Sequence, residues 1–226
     1  MIKLVFFDWN GTLLSDATAG LEATNNLLCQ FNIKPIAIKT YRDLFEMPVT
    51  KFYSEVGIDE KLFFENHSKI QDRYHSFYEK RAEHCRARAG TDVLLKWLHS
   101  EGIRSVILSN HTVEGIEKHL KRLKLEKYID VVLAHDNIMS TGTKNKAKYA
   151  EEYVREKGFS PKQILVVGDA PEEAKIARQL NAKSVLVSGG WYSERRLKEA
   201  KPDYIIGRLD KLIGIIKEIQ GKPDAP

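Results

Sequence analysis

The chain has 226 residues, 42% of them hydrophobic and 30% charged, with a formal net charge of +5 at pH 7. That length suits one domain with an insertion, or two domains, and no stretch approaches the roughly 18 apolar residues of a membrane span. The basic residues are interspersed with acids, as in Glu117-Lys118-His119-Leu120-Lys121-Arg122, a solvated helix face rather than a phosphate-tracking stripe, so no nucleic-acid partner is expected. Cys29 and Cys85 lie far apart and match no metal or redox spacing. The N-terminal apolar run is too short for a signal peptide, and the sequence reads as cytoplasmic.

The first predicted element is a strand, Ile2 to Phe7, whose β-branched and aromatic residues suit full burial. It ends on Asp8, followed by Trp9-Asn10-Gly11-Thr12. An unpaired carboxylate in an apolar surround is costly, so Asp8 has little structural reason to be there. Residues 17–83 then lose strand character. Leu21, Leu27, Leu28 and Phe31 follow a helical period, with Ser15 or Asp16 as the N-cap. Pro35 interrupts, short helices follow near 40–46 and 49–56, and one long helix is expected from about Asp59 to Ala82.

From Ala89 helix and strand alternate. Helices near 91–100, 112–123, 145–157 and 171–180 separate strands at 105–108, 131–133, 164–167 and 184–187. Residues 204–206 form a last strand, and a helix near 209–219 closes the fold. Such alternation implies right-handed crossovers and a parallel sheet with helices on both faces. The expected organisation is an α/β, Rossmann-like doubly wound core (1–14 and 86–220), an all-helical cap (15–85) and a disordered tail (221–226).

Ligands of open parallel sheets bind at the carboxyl ends of the strands, and polar residues gather there. Strand one ends in Asp8, the next in Ser109-Asn110 at an expected helix N-terminus, and strand 164–167 in Gly168-Asp169-Ala170-Pro171-Glu172-Glu173. Lys144 stands at the start of the intervening helix, with Lys146 and Lys148 as competitors. A carboxylate, a hydroxyl, a lysine and a second acidic pair are what phosphoryl transfer to an aspartate needs.

These four segments resemble, in order and spacing, the four motifs of the haloacid dehalogenase superfamily, and the helical segment resembles the mobile cap of its phosphoglycolate phosphatase-like branch. The resemblance implies Asp8 as the nucleophile that forms an aspartyl-phosphate, Ser109 with Asn110 as phosphate-binding groups, and Lys144 as the lysine that stabilises both. It implies Mg²⁺ held by Asp8, the backbone carbonyl of Asn10, Asp169 and Glu173, and a small phosphorylated metabolite as substrate. One letter departs: Asn10 stands where the family's phosphatases carry a second Asp that protonates the leaving group. General acid–base catalysis is typically worth about 10²–10⁴-fold.

Three readings accommodate Asn10. The enzyme is a phosphatase favouring leaving groups that need no proton, or one in which Asp16 or His111 substitutes. Alternatively it cleaves a C–P bond, since phosphonoacetaldehyde hydrolases of this superfamily also lack that Asp, carry Trp before it as Trp9 is here, and use a cap lysine, for which Lys51 is the candidate. In the third reading the protein binds a phosphorylated ligand without turnover. Trp9 and Trp191 are candidates to line the pocket, with buried packing the default for either.

Overall fold

The computed structural model describes residues 1–136 and 146–221; the tail beyond Gly221 lies outside them. Six parallel strands form one sheet: β1 (Leu4–Phe7), β2 (Arg104–Thr112), β3 (Val131–His135), β4 (Ile164–Gly168), β5 (Lys183–Val187) and β6 (Tyr204–Ile206), in the order β3-β2-β1-β4-β5-β6. Strand β1 pairs with β2 on one side and β4 on the other, Phe7 lying opposite Ile107 and Val167. Chain order runs outward in both directions from β1, so the topological switch lies between β1 and β4, where such sheets open a crevice at their carboxyl ends. Asp8 and Asp169 are the residues that follow these two strands.

Alternating side chains of the buried strands serve both faces. Val5 and Phe7 pack with Leu94, Leu95 and Leu98 of α6 (Thr91–Ser100), Ile116 and Leu120 of α7 (Val113–Leu123), and Leu212 and Ile216 of α11 (Leu212–Gly221). Leu4 and Phe6 pack on the other face with Ala150 and Tyr153 of α8 (Lys146–Lys157) and Ile176 and Ala177 of α9 (Pro171–Gln179).

Between β1 and β2 comes a helical insertion: α1 (Ala17–Gln30), α2 (Ile38–Leu44), α3 (Val49–Glu55), α4 (Glu60–Glu65) and α5 (His67–Ala82). The single long helix expected from Asp59 to Ala82 is broken at Asn66, whose φ of −116° leaves the helical region, so α4 turns its Phe63 onto Tyr53 as a stacked pair. A short helix α10 (Glu194–Glu199) was not anticipated. Its only buried residue is Leu197, too little to set up a period. Strand β2 also runs past Ser109 to Thr112, across a register shift against β3. Ser109 and Asn110 therefore sit on strand backbone, and the N-cap of α7 is Thr112, whose side chain accepts from the Gly115 amide. No helix among the described residues is long and apolar enough to cross a membrane.

The insertion is tied to the sheet by side chains on both. Arg42 of α2 donates to the carbonyls of Gly189 and Gly190 at 2.8 Å each. Trp191 packs with the apolar clusters of the insertion and with that around Leu186. Glu79 of α5 pairs with His111 of β2 at 3.1 Å.

Leu165 is fully buried in the central strand β4; Leu165→Ala should lower the unfolding free energy in urea by about 2–5 kcal/mol, and a loss near zero would mean this core is not packed as described. The Glu79–His111 pair sets a pH dependence. Burial lowers the His111 pKa, but the hydrogen bond and charge of Glu79 outweigh it and the net shift is upward. Burial likewise raises Glu79, yet its bond to His111 brings it below the ordinary value. A raised histidine stabilises fully below its unfolded value of about 6.5 and loses that contribution as pH rises through its folded pKa. The lowered glutamate stabilises above its unfolded value of about 4.3 and loses its share as pH falls through its folded pKa. The melting-temperature gap between wild type and Glu79→Gln should therefore be larger at about pH 5.5 than at about pH 8.5; equal gaps would show that the pair is not charged.

Candidate active site

At the carboxyl end of β1, Asp8 is 7% exposed, and Lys146, the first residue of α8, is 5% exposed. The Lys146 ammonium donates to Asp8 Oδ1 at 2.6 Å and to Glu173 Oε1 at 2.7 Å, with Glu172 at 3.6 Å. Burial disfavours its charge, but the three carboxylates, Asp8 first, hold its pKa well above the ordinary lysine value. The Thr12 hydroxyl lies 3.0 Å from Asp8 Oδ2 and 3.3 Å from Asp169 Oδ1, so the two aspartates converge on one point. Burial, and then the charge of Asp8, push Asp169 well above the ordinary carboxylate value.

Asp169 fits there because its neighbours lack side chains. A Cβ on Gly11 would meet Asp169 Oδ2 at 2.2 Å, and one on Gly190 at 2.0 Å. The Gly190–Trp191 backbone thereby approaches closely enough for the Trp191 amide to donate to Asp169 Oδ2 at 2.5 Å. Gly11 also turns at φ 73°, in the left-handed region, and its carbonyl accepts from Arg88 at 2.6 Å.

Behind this floor lies a further buried carboxylate, Asp16. Asp16 occupies the N-cap position of α1, but its side chain makes no capping bond. It accepts instead from Asn10 Nδ2 at 2.7 Å, the Gly11 amide at 2.6 Å, Trp191 Nε1 at 3.0 Å and the Tyr78 hydroxyl at 2.5 Å. Complete burial raises its pKa, and these four donors work against that rise. Asn10 Nδ2 also reaches Tyr78 Oη at 2.6 Å. The Asn10 side chain is thus fastened between a core-proximal loop and α5 of the insertion.

The site residues expected from the sequence divide as follows. Asp8, Asn10, Ser109, Asn110 and Asp169 all line one cavity of about 290 Å³, with Lys146 beside them. Lys144 lies outside the described residues, and the lysine that reaches Asp8 is Lys146. The cue was available: Lys146, Ala150 and Tyr153 are the buried residues of α8, spaced i, i+4, i+7, so the lysine sits on the helix face turned to the sheet. Lys51 does not line the cavity; it is exposed and paired with Glu46 at 3.0 Å. Glu173, expected as a metal ligand, gives one oxygen to Lys146 and the other to the Ala170 amide at 3.2 Å. His111 lines the cavity but is engaged by Glu79. Trp9 is fully buried in the core, whereas Trp191 lines the cavity.

The residues missed by sequence reasoning are chiefly aromatic. Phe45, Phe52, Tyr53, Tyr74 and Tyr78 from the insertion, and Tyr192 beside Trp191, also line the cavity. Each falls on an apolar helical stripe or beside a turn, where packing is the default assignment.

Asp8 and Asp169 offer hard oxygen ligands, and Lys146 is the one lysine or arginine lining the cavity among the described residues. Two converging buried carboxylates with a single neighbouring ammonium are short of positive charge, and oxygen donors of this kind suit Mg²⁺. Among the described residues no third His, Cys, Asp or Glu side chain completes a cluster with them, which leaves backbone carbonyl and water for the remaining positions.

The profile of the haloacid dehalogenase-like hydrolases matches residues 5–187. The chain is 24% identical over 222 residues to a phosphoglycolate phosphatase of Pseudomonas fluorescens, covering 93% of this chain and 78% of that one. It is 21% identical over 229 residues to the pyrophosphatase PpaX of Bacillus mycoides, covering 97% and 99%. A haloacid dehalogenase-like family hydrolase from Streptococcus pneumoniae superposes with a TM-score of 0.78 at 18% identity, covering 95% of this chain and 98% of that one. With the family profile spanning most of its length, from inside the first strand to the end of the fifth, this chain is a member of the haloacid dehalogenase-like hydrolase family.

Proposed function

We propose that this protein is a Mg²⁺-dependent phosphatase that hydrolyses a small phosphomonoester through an aspartyl-phosphate at Asp8, with the helical insertion acting as a cap over the substrate. The observation that carries this is Lys146, buried at the cavity floor 2.6 Å from Asp8 and 2.7 Å from Glu173. Its relatives named phosphoglycolate phosphatase and pyrophosphatase support phosphate esters or anhydrides as the substrate class.

In this reading Asp8 Oδ2 attacks phosphorus in line with the departing oxygen, and water later cleaves the acyl phosphate. Lys146 offsets the charge of the phosphoryl group while Glu173 keeps the ammonium in place. Ser109 and Asn110, in the last residues of β2, donate to phosphoryl oxygens. Mg²⁺, held by Asp8, Asp169 and the Asn10 carbonyl, would lower the repulsion between nucleophile and phosphate. The amide of Asn10 has no titratable proton, so alcohols that leave without protonation are favoured. The C–P hydrolase reading is disfavoured by Lys51, which is exposed, paired with Glu46 and absent from the cavity wall.

Lys146→Ala should reduce Mg²⁺-dependent phosphate release from an aryl phosphate by at least about 10²-fold, by analogy with loss of one charge-stabilising donor. Asp8→Asn should abolish it. Release unchanged in either variant would sink the assignment. Asn10→Asp alone would set two carboxylates 2.7 Å apart, at the present distance to Asp16, where like charges force them to share a proton. The double variant Asn10→Asp/Asp16→Asn keeps one charge and should raise kcat for alkyl phosphates by about 10-fold or more, toward the range of general acid catalysis. No gain in the double variant would show that proton transfer to the leaving group does not limit this enzyme.

A further inference from the structure

We propose that the substrate's leaving group is an uncharged aromatic alcohol, so that the natural substrate class is a neutral aryl phosphomonoester rather than a phosphate ester bearing a second anionic group. This inference rests on the phosphatase reading of the site and concerns the part of the cavity beyond the phosphate.

The charged residues that line the cavity, Asp8, Asp169, Glu172 and Lys146, with His111 already matched by Glu79, all come from the sheet side. The insertion carries lysines and arginines, yet none of those described lines the cavity; Lys51 and Arg81 are paired with Glu46 and Glu22 at the surface, and Arg42 is spent on two carbonyls. What the insertion presents are the rings of Phe45, Phe52, Tyr53, Tyr74 and Tyr78, with Gln71 and His75 among them. Burial lowers His75, which favours its neutral form, and burial raises the phenols of Tyr53, Tyr74 and Tyr78, so they stay un-ionised.

A carboxylate or second phosphate on the leaving group would therefore lose water against uncharged rings and find, among the described residues of the insertion, no unpaired cation in exchange, which is unfavourable. An aromatic group meets the reverse situation. Tyr74 and Tyr78 hold parallel rings, 4° apart in plane with centroids at 5.9 Å, and Phe45 meets Trp191 edge-on at 4.8 Å. Ring-on-ring contacts of these kinds are favourable beyond the area they bury. At about 290 Å³ the cavity lies at the small end for ligand sites, which suits one ring and a phosphoryl group. The chemistry of Asn10 agrees, because a phenol of pKa about 10 departs as phenolate without a proton donor.

The test measures binding and turnover separately on the wild-type protein with Mg²⁺. Binding is read by calorimetry with 4-methylbenzylphosphonate, 4-carboxybenzylphosphonate and ethylphosphonate, whose P–C bond replaces the scissile P–O bond. Turnover is read with the 4-methylphenyl and 4-carboxyphenyl phosphates. The proposal expects the methylbenzyl compound to bind at least about 10-fold tighter than each of the other two, a preference expected of an apolar ring site, with a KM ratio in the same direction. Equal or tighter binding of the carboxyl or ethyl compound would overturn it, as would failure of all three to bind. Selective binding without phosphate release from either ester would uphold the neutral aromatic site and overturn the phosphatase reading instead.

Discussion

One ammonium shared by two carboxylates organises this protein. Lys146 is buried between Asp8 and Glu173, and a buried charge is tolerable only when paired and hydrogen-bonded. Its position depends on three separate elements arriving together: β1 delivers Asp8, α8 starts with Lys146, and the first turn of α9 carries Glu173. The parallel sheet makes that meeting possible because β1 and β4 are neighbours although more than a hundred residues apart in sequence. The glycines follow from the same crowding, since Gly168 leaves the space that Glu173 fills and Gly11 and Gly190 leave the space for Asp169.

The buried carboxylate of Asp16 shows why Asn10 cannot be read as a simple loss. An aspartate at position 10 would face Asp16 across 2.7 Å, with mutual repulsion; an asparagine supplies amide protons there. Asn10 and Asp16 are therefore one unit, in which donor and acceptor have to be complementary. Trp191 links that unit to the floor, its backbone amide bound to Asp169 and its indole to Asp16. Tyr78 carries the link into the insertion, so the polar centre and the helices above it are mechanically continuous.

That continuity gives the aromatic wall its meaning. Rings that sequence reading assigns to packing stand around an opening at the carboxyl ends of the strands, and they bring no fixed charge with them. The relatives named for phosphoglycolate and pyrophosphate share the family's chemistry with this chain at 24% and 21% identity. Identity at that level carries the fold, whereas the lining of a pocket drawn from several helices is free to vary.

The strand pattern, the alternation of helix and strand, the helical insertion and the polar strand ends were legible in the linear chain, because burial periodicity and turn chemistry are local signals. Asp8 and Asp169 could be singled out for the same reason, since each ends an apolar run where nothing local explains it, and Ser109 because it ends the neighbouring predicted strand beside them. The sequence by itself thus determined an α/β fold and the strand ends at which polar chemistry collects. Only the tertiary structure decided that Lys146 reaches Asp8, that Glu173 serves this lysine, that Asp16 binds Asn10 instead of capping α1, and that Lys51 faces solvent. These are matters of direction and of meeting between distant segments. A side chain's neighbours across the sheet are fixed by packing, and packing is a property of the whole chain rather than of any window of it.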